Sequence, residues 1–116
     1  MLQRARVLVL SDQATPYRDA IDYTRQIPPS DPAYAEAQQD IAAWSQRIYD
    51  IAQMRASRQE WETAIMAAAL VPSDNPTLYP QAQALIRQWC PAVEGRVDPN
   101  NPSLKPAQFV CSQVSF

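Results

Sequence analysis

The sequence predicts an all-α fold in which antiparallel helix pairs stack on one another. Apolar residues recur at spacings of three and four through most of the chain, the mark of helices with one buried face. A block of chemically similar residues returns after 44 to 45 positions. Eleven prolines beside a single glycine, Gly95, punctuate the periodic stretches. With 116 residues, 47% apolar and 19% charged, the chain has the balance of one globular domain with a modest core.

The recurrence is specific. Tyr17 pairs with Trp61, Ala20 and Ile21 with Ala64 and Ile65, Ile27 and Pro28 with Val71 and Pro72, and Pro32 with Pro76, all at an offset of 44. One extra residue then enters the second copy, and Tyr34, Ala37, Gln38, Ile41 and Trp44 meet Tyr79, Ala82, Gln83, Ile86 and Trp89 at an offset of 45. Two tryptophan matches in a chain with three tryptophans are hard to obtain by chance.

Each copy reads as helix, proline-marked loop, helix. In the first, Thr15 is a suitable N-cap and Pro16 a suitable first helical residue. Tyr17, Ala20, Ile21, Thr24 and Ile27 share a face, and Pro28 with Pro29 ends the helix. Asp31 before Pro32 restarts one, as Asn75 before Pro76 does in the second copy. The helix begun at Pro32 carries Tyr34, Ala37, Ile41, Trp44, Ile48 and Ile51 along one seam to about Ala56. Ser57 to Glu60 has the S-x-x-E form of a capping box. The next helices present Trp61, Ala64, Ile65, Ala68 and Val71, then Tyr79, Ala82, Leu85, Ile86 and Trp89, before Cys90 and Pro91 stop the pattern.

The expected organisation is a helical domain over 1–91, made of a half repeat over 1–11, a repeat over 15–56 and a second over 57–90. Residues 92–116 are expected to be an irregular Pro/Asn-rich tail, whose Phe109, Val110, Val114 and Phe116 could cap the last apolar face. Leu2 to Leu10 match the second half of the long helix, so the chain is expected to be excised from, or evolved from, a longer array, with about five helices here. Met1 to Leu10 lacks the apolar length and cleavage site of a signal peptide, and no apolar run approaches the roughly 20 residues of a membrane span.

These helix pairs resemble the tetratricopeptide class of solenoids, with a period about ten residues longer than the usual 34. They are more similar to the tandem helical repeats of uncharacterised cyanobacterial proteins, with the form A-I-x-x-A-x-x-I-P, a proline-led loop, then Y-x-x-A-Q-x-x-I-x-x-W. Ala20 to Pro28 with Tyr34 to Trp44, and Ala64 to Pro72 with Tyr79 to Trp89, carry that likeness over about two-thirds of the chain. It implies a stacked fold and brings no catalytic residues with it.

Chemistry is sparse. The chain has no histidine, which removes the commonest general base and zinc ligand, and one glycine cannot build a phosphate loop. Ten basic residues against twelve acidic ones are scattered, so no basic face for nucleic acid is visible. Asp19 with Asp22, and Glu60 with Glu62, are expected as solvated surface rather than acid/base pairs, as are Arg18 and Arg25 rather than a phosphate clamp. Trp44, Trp61, Trp89, Tyr34 and Tyr79 are expected as structural anchors, with Gln38 and Gln83 bonding the loops or a neighbouring repeat. Cys90 and Cys111 are either bridged, which implies a periplasmic, lumenal or extracellular setting, or buried thiols of a cytoplasmic protein.

The expected function is therefore a non-catalytic protein–protein interaction or scaffold module with a protein or peptide partner and no cofactor, metal or nucleic acid. Tyr23, Arg47 and Tyr49, sizeable and off the apolar stripe, are the candidate binding residues. The alternative is a small ligand-binding or regulatory domain of a larger protein, with an apolar pocket framed by Trp61 and Trp89.

Overall fold

The computed structural model describes residues 13–114. Within them lie five α-helices and one 3₁₀ turn: α1 Ala14–Thr24, α2 Tyr34–Ser57, α3 Trp61–Ala68, α4 Leu78–Trp89, the turn Cys90–Ala92, and α5 Leu104–Gln113. There is no strand among the described residues, and no described helix is long and apolar enough to cross a membrane. The half repeat at Leu2 to Leu10, and Phe116, lie outside the described residues.

The two helix pairs are closed by the same hydrogen bonds at an offset of 44. After α1, the amides of Arg25, Gln26 and Ile27 donate to the carbonyls of Ile21, Tyr23 and Thr24. After α3, those of Ala69, Leu70 and Val71 donate to Ile65, Ala67 and Ala68. Asp31 N–H then donates to Pro28 O, and Asn75 N–H to Pro72 O. The Asx side chains come next: Asp31 Oδ1 accepts from Ala33 N–H at 2.8 Å, and Asn75 Oδ1 from Thr77 and Leu78 N–H at 3.1 and 2.8 Å. Each satisfies a backbone donor just ahead of a helix, which is why Asx-Pro restarts one.

α2 is the central element, and it packs against both α1 and α3. Ala37, Trp44, Ser45, Ile48, Ile51 and Ala52 are buried along it, a wide stripe suited to two neighbours. The buried Ser45 hydroxyl donates back to Ile41 O at 2.7 Å, so its polar atom costs little there. Ala20, Ile21, Ala64, Ile65, Ala82 and Ile86 are fully buried in the same core, where small residues let helices approach closely. Trp44 and Trp89, matched in sequence, are 8% and 7% exposed.

Two expectations about helix ends are corrected. α1 begins at Ala14 with Gln13 as its N-cap, so Thr15 lies inside the first turn and does not cap. Ser57 to Glu60 forms no capping box: Ser57 Oγ donates to Met54 O, and Glu60 makes no side-chain cap bond. α2 ends instead in a Schellman motif, with Gln59 at φ 61°, its N–H on Ala56 O and Glu60 N–H on Arg55 O. A left-handed residue other than glycine closes the helix, which is why the sequence signal resembled something else.

The largest correction is at the tail. Residues 104–113 form a regular helix where an irregular stretch was expected. Its entry repeats the earlier device, since Asn101 Oδ1 accepts from Ser103 N–H at 3.0 Å and Leu104 follows as the first helical residue. Pro106 sits third in α5, as Pro80 does in α4 and Pro16 in α1, positions whose N–H has no intrahelical acceptor. α5 packs on α3 through Leu104, Ala107 and Cys111. Phe109 does not join them and stands 66% exposed.

Cys90 and Cys111 are disulfide-bonded, with their Cα atoms 5.8 Å apart. Of the two possibilities left open by the sequence, the bridge holds. It ties α5 to the 3₁₀ turn that ends the second helix pair, and Gln108 Nε2 adds bonds to Val93 O and Arg96 O at 2.8 and 2.9 Å. Gly95, at φ 72°, reverses the chain between them.

Candidate functional site

The face of α5 that is not buried forms one wall of an open groove. Leu104, Ala107 and Cys111, spaced by three and four, turn toward α3, which leaves Lys105, Pro106, Phe109 and Val110 along the rim. Opposite stand Met66 of α3 and Ala69 and Leu70 of the turn that follows. The groove encloses about 650 Å³, and apart from the Lys105 ammonium its lining side chains are apolar. Scattered single apolar residues are ordinary on a surface, and Val97, 92% exposed in a loop, is one such. Phe109 differs because it belongs to a contiguous apolar lining.

Past Phe109 and Val110 the surface runs into a second cleft of about 390 Å³, lined also by Arg18, Val71, Tyr79, Gln83, Ile86, Gln113 and Val114. The first helix pair has a counterpart lined by Ile27, Pro28, Pro29, Tyr34, Gln38 and Ile41. Ile27, Tyr34, Gln38 and Ile41 match Val71, Tyr79, Gln83 and Ile86 in sequence, so matched residues line both clefts. What differs is the facing wall: α5 in the second, and Arg25 with Asp74 in the first, paired at 2.7 Å.

The sequence-proposed binding residues lie on α1 and α2. Tyr23 and Tyr49 are half-buried and pack against the core, Arg47 is exposed on α2, and none of the three lines a cleft described here. Among the anchors, Trp44 and Trp89 are buried, while Trp61, Tyr34 and Tyr79 are half-buried. Trp61 and Tyr79 lean on the core. Neither Trp61 nor Trp89 lines one of these clefts. Gln38 is exposed and Gln83 half-buried, and neither side chain makes a hydrogen bond to a described residue, contrary to the expected loop bond.

Some of the surface charges pair with one another. Arg18 bonds Asp22 at 3.1 Å and donates to Leu70 O at 3.0 Å, tying α1 to the end of α3. Arg96 pairs with Glu62, and Asp19 and Glu60 stay exposed. No group of three acidic or cysteine side chains converges as a metal site among the described residues.

The groove is not legible in the sequence because its two walls, Met66 to Leu70 and Lys105 to Val110, are at least 35 residues apart and one of them is a helix that the spacing does not predict. Comparison with family models, curated proteins and solved structures finds no match for this chain.

Proposed function

We propose that this chain is a protein-interaction module made of two stacked, tetratricopeptide-like helical hairpins, and that it holds a polypeptide segment in the groove between α3 and α5. The hairpin reading is supported by the loop hydrogen bonds that recur at an offset of 44 and by the matched burial of Ala20 and Ala64, Ile21 and Ile65, and Trp44 and Trp89. The docking reading is carried by one observation. After the core is closed, an aromatic ring 66% exposed still lines a continuous apolar groove. Natural hairpin stacks present such surfaces to extended or helical peptides. The buried Cys90–Cys111 bridge supports an oxidising setting, periplasmic, lumenal or extracellular, as the place of action.

The test is peptide selection on the immobilised oxidised chain. Enriched peptides are expected to lose binding to Phe109→Ser while that variant melts as the parent does. Enrichment untouched by the substitution, or no enrichment, contradicts the docking reading.

A further inference from the structure

The groove has a charge pattern opposite to that of the chain. The protein carries twelve acidic and ten basic side chains, yet among the described residues no carboxylate lines the groove or the cleft it enters. Their charged side chains are Lys105 in the groove and Arg18 in the cleft. Arg18 is already neutralised by Asp22. Lys105 is not: it is exposed and makes no hydrogen bond or ion pair with a described residue.

The position of Lys105 is locally unfavourable. It is the second residue of α5, and that first turn holds no acidic side chain. The positive end of the helix dipole lies there, so a cation opposes the backbone field and an acidic residue would stabilise the helix better. The helix itself gives no reason for a lysine at this place. An anionic group arriving from outside does, because it would meet the ammonium and the helix N-terminus together at the edge of an apolar wall.

We propose that the groove takes an apolar peptide segment carrying a carboxylate, with the apolar side chains seated between Met66, Leu70 and Phe109 and the carboxylate paired to Lys105. This rests on the docking reading of the groove and adds the chemistry of the occupant. Lys105 serves as the specificity determinant and contributes little to the fold, since it touches no described polar partner.

The experiment is an NMR titration of the oxidised chain with two synthetic peptides, acetyl-Asp-Leu-Pro-Phe-Leu-Asp-amide and its counterpart with lysine in place of both aspartates. The acidic peptide is expected to bind roughly three- to fivefold more tightly at low salt, the span of one exposed ion pair. It is expected to shift the amides of Leu70, Lys105 and Phe109, with the preference shrinking at about 0.5 M salt. Lys105→Glu is expected to invert the preference. Equal binding of both peptides in the groove, or no inversion, overturns the charge assignment and leaves the docking reading standing. Shifts that avoid the groove, or no binding of either peptide, overturn both.

Discussion

The two helix pairs share a loop and an anchor set but finish differently. In the first, the second helix runs 24 residues, and Ile48, Ile51 and Ala52 carry its buried stripe on to meet α3. In the second, the corresponding helix stops after 12 residues, at Cys90 and Pro91. Cys90 and Val93 still fall where Ser45 and Ile48 stand in the first copy, at the offset of 45, and are equally buried. The missing turns are replaced by a separate helix, α5, fixed by a disulfide and by Gln108. The first pair thus ends by continuing its own helix and the second by a separate cover, and the apolar groove lies against that cover.

The sharpest way to break this comparison is to truncate matched anchors. Ile21→Ala and Ile65→Ala each remove a fully buried side chain, and each should cost about 2 to 5 kcal/mol by chemical denaturation, because cavity and transfer terms add. A near-zero cost at either position contradicts its role as an anchor. Next in size is the cover. Replacing Cys90 and Cys111 by alanine should lower stability by on the order of 3 kcal/mol, and hydrogen exchange should show α5 opening before α1 and α2. Loss of protection in α1 first runs against the division drawn here.

Smaller effects sharpen the local details. Gly95→Ala should cost about 1 kcal/mol, a purely conformational effect, since a Cβ there would meet nothing within 4 Å but φ is 72°. Thr24 is buried with its hydroxyl unbonded, while its partner in the second copy is Ala68. Thr24→Val should therefore raise stability, by up to about 1 kcal/mol, and a fall in melting temperature would show an unrecognised hydroxyl partner. Ser57→Ala should change stability by less than about 0.5 kcal/mol, because no capping box exists to lose.

Much of this fold was legible in the residues. The paired anchors and the Asx-Pro restarts follow from spacing and turn chemistry acting locally, while the boundary between α2 and α3 falls at Ser57 to Glu60 for a reason other than the capping box read there. α5 was not legible, because its buried positions are Leu104, Ala107 and Cys111, two of them small, while its largest apolar residue, Phe109, faces out. Side-chain size pointed to the wrong face. A usable signal was nonetheless present: Asn101-Pro102 repeats the Asn75-Pro76 device three residues ahead of a helix. Gln59 hid the Schellman ending for a similar reason, since glycine is the residue that usually marks it. The groove was out of reach, being a product of how distant segments meet. Tyr23, Arg47 and Tyr49 lie off the stripe, but α2 packs on α1, α3 and α4, so a position off the stripe such as Tyr49 also turns toward the core, as Tyr23 does on α1, while Arg47 stays exposed.

The most direct test of the twice-used unit is to exchange its loops. Replacing residues 71–76, VPSDNP, by residues 27–32, IPPSDP, keeps every matched backbone bond and sacrifices the exposed Arg25–Asp74 pair. Thermal unfolding followed by circular dichroism should then show one cooperative transition, lowered by no more than about 4 to 8 °C, the equivalent of roughly 1 kcal/mol. A chimera that loses the cooperative transition would show that the two loops are different structures and would end the account of a repeated hairpin.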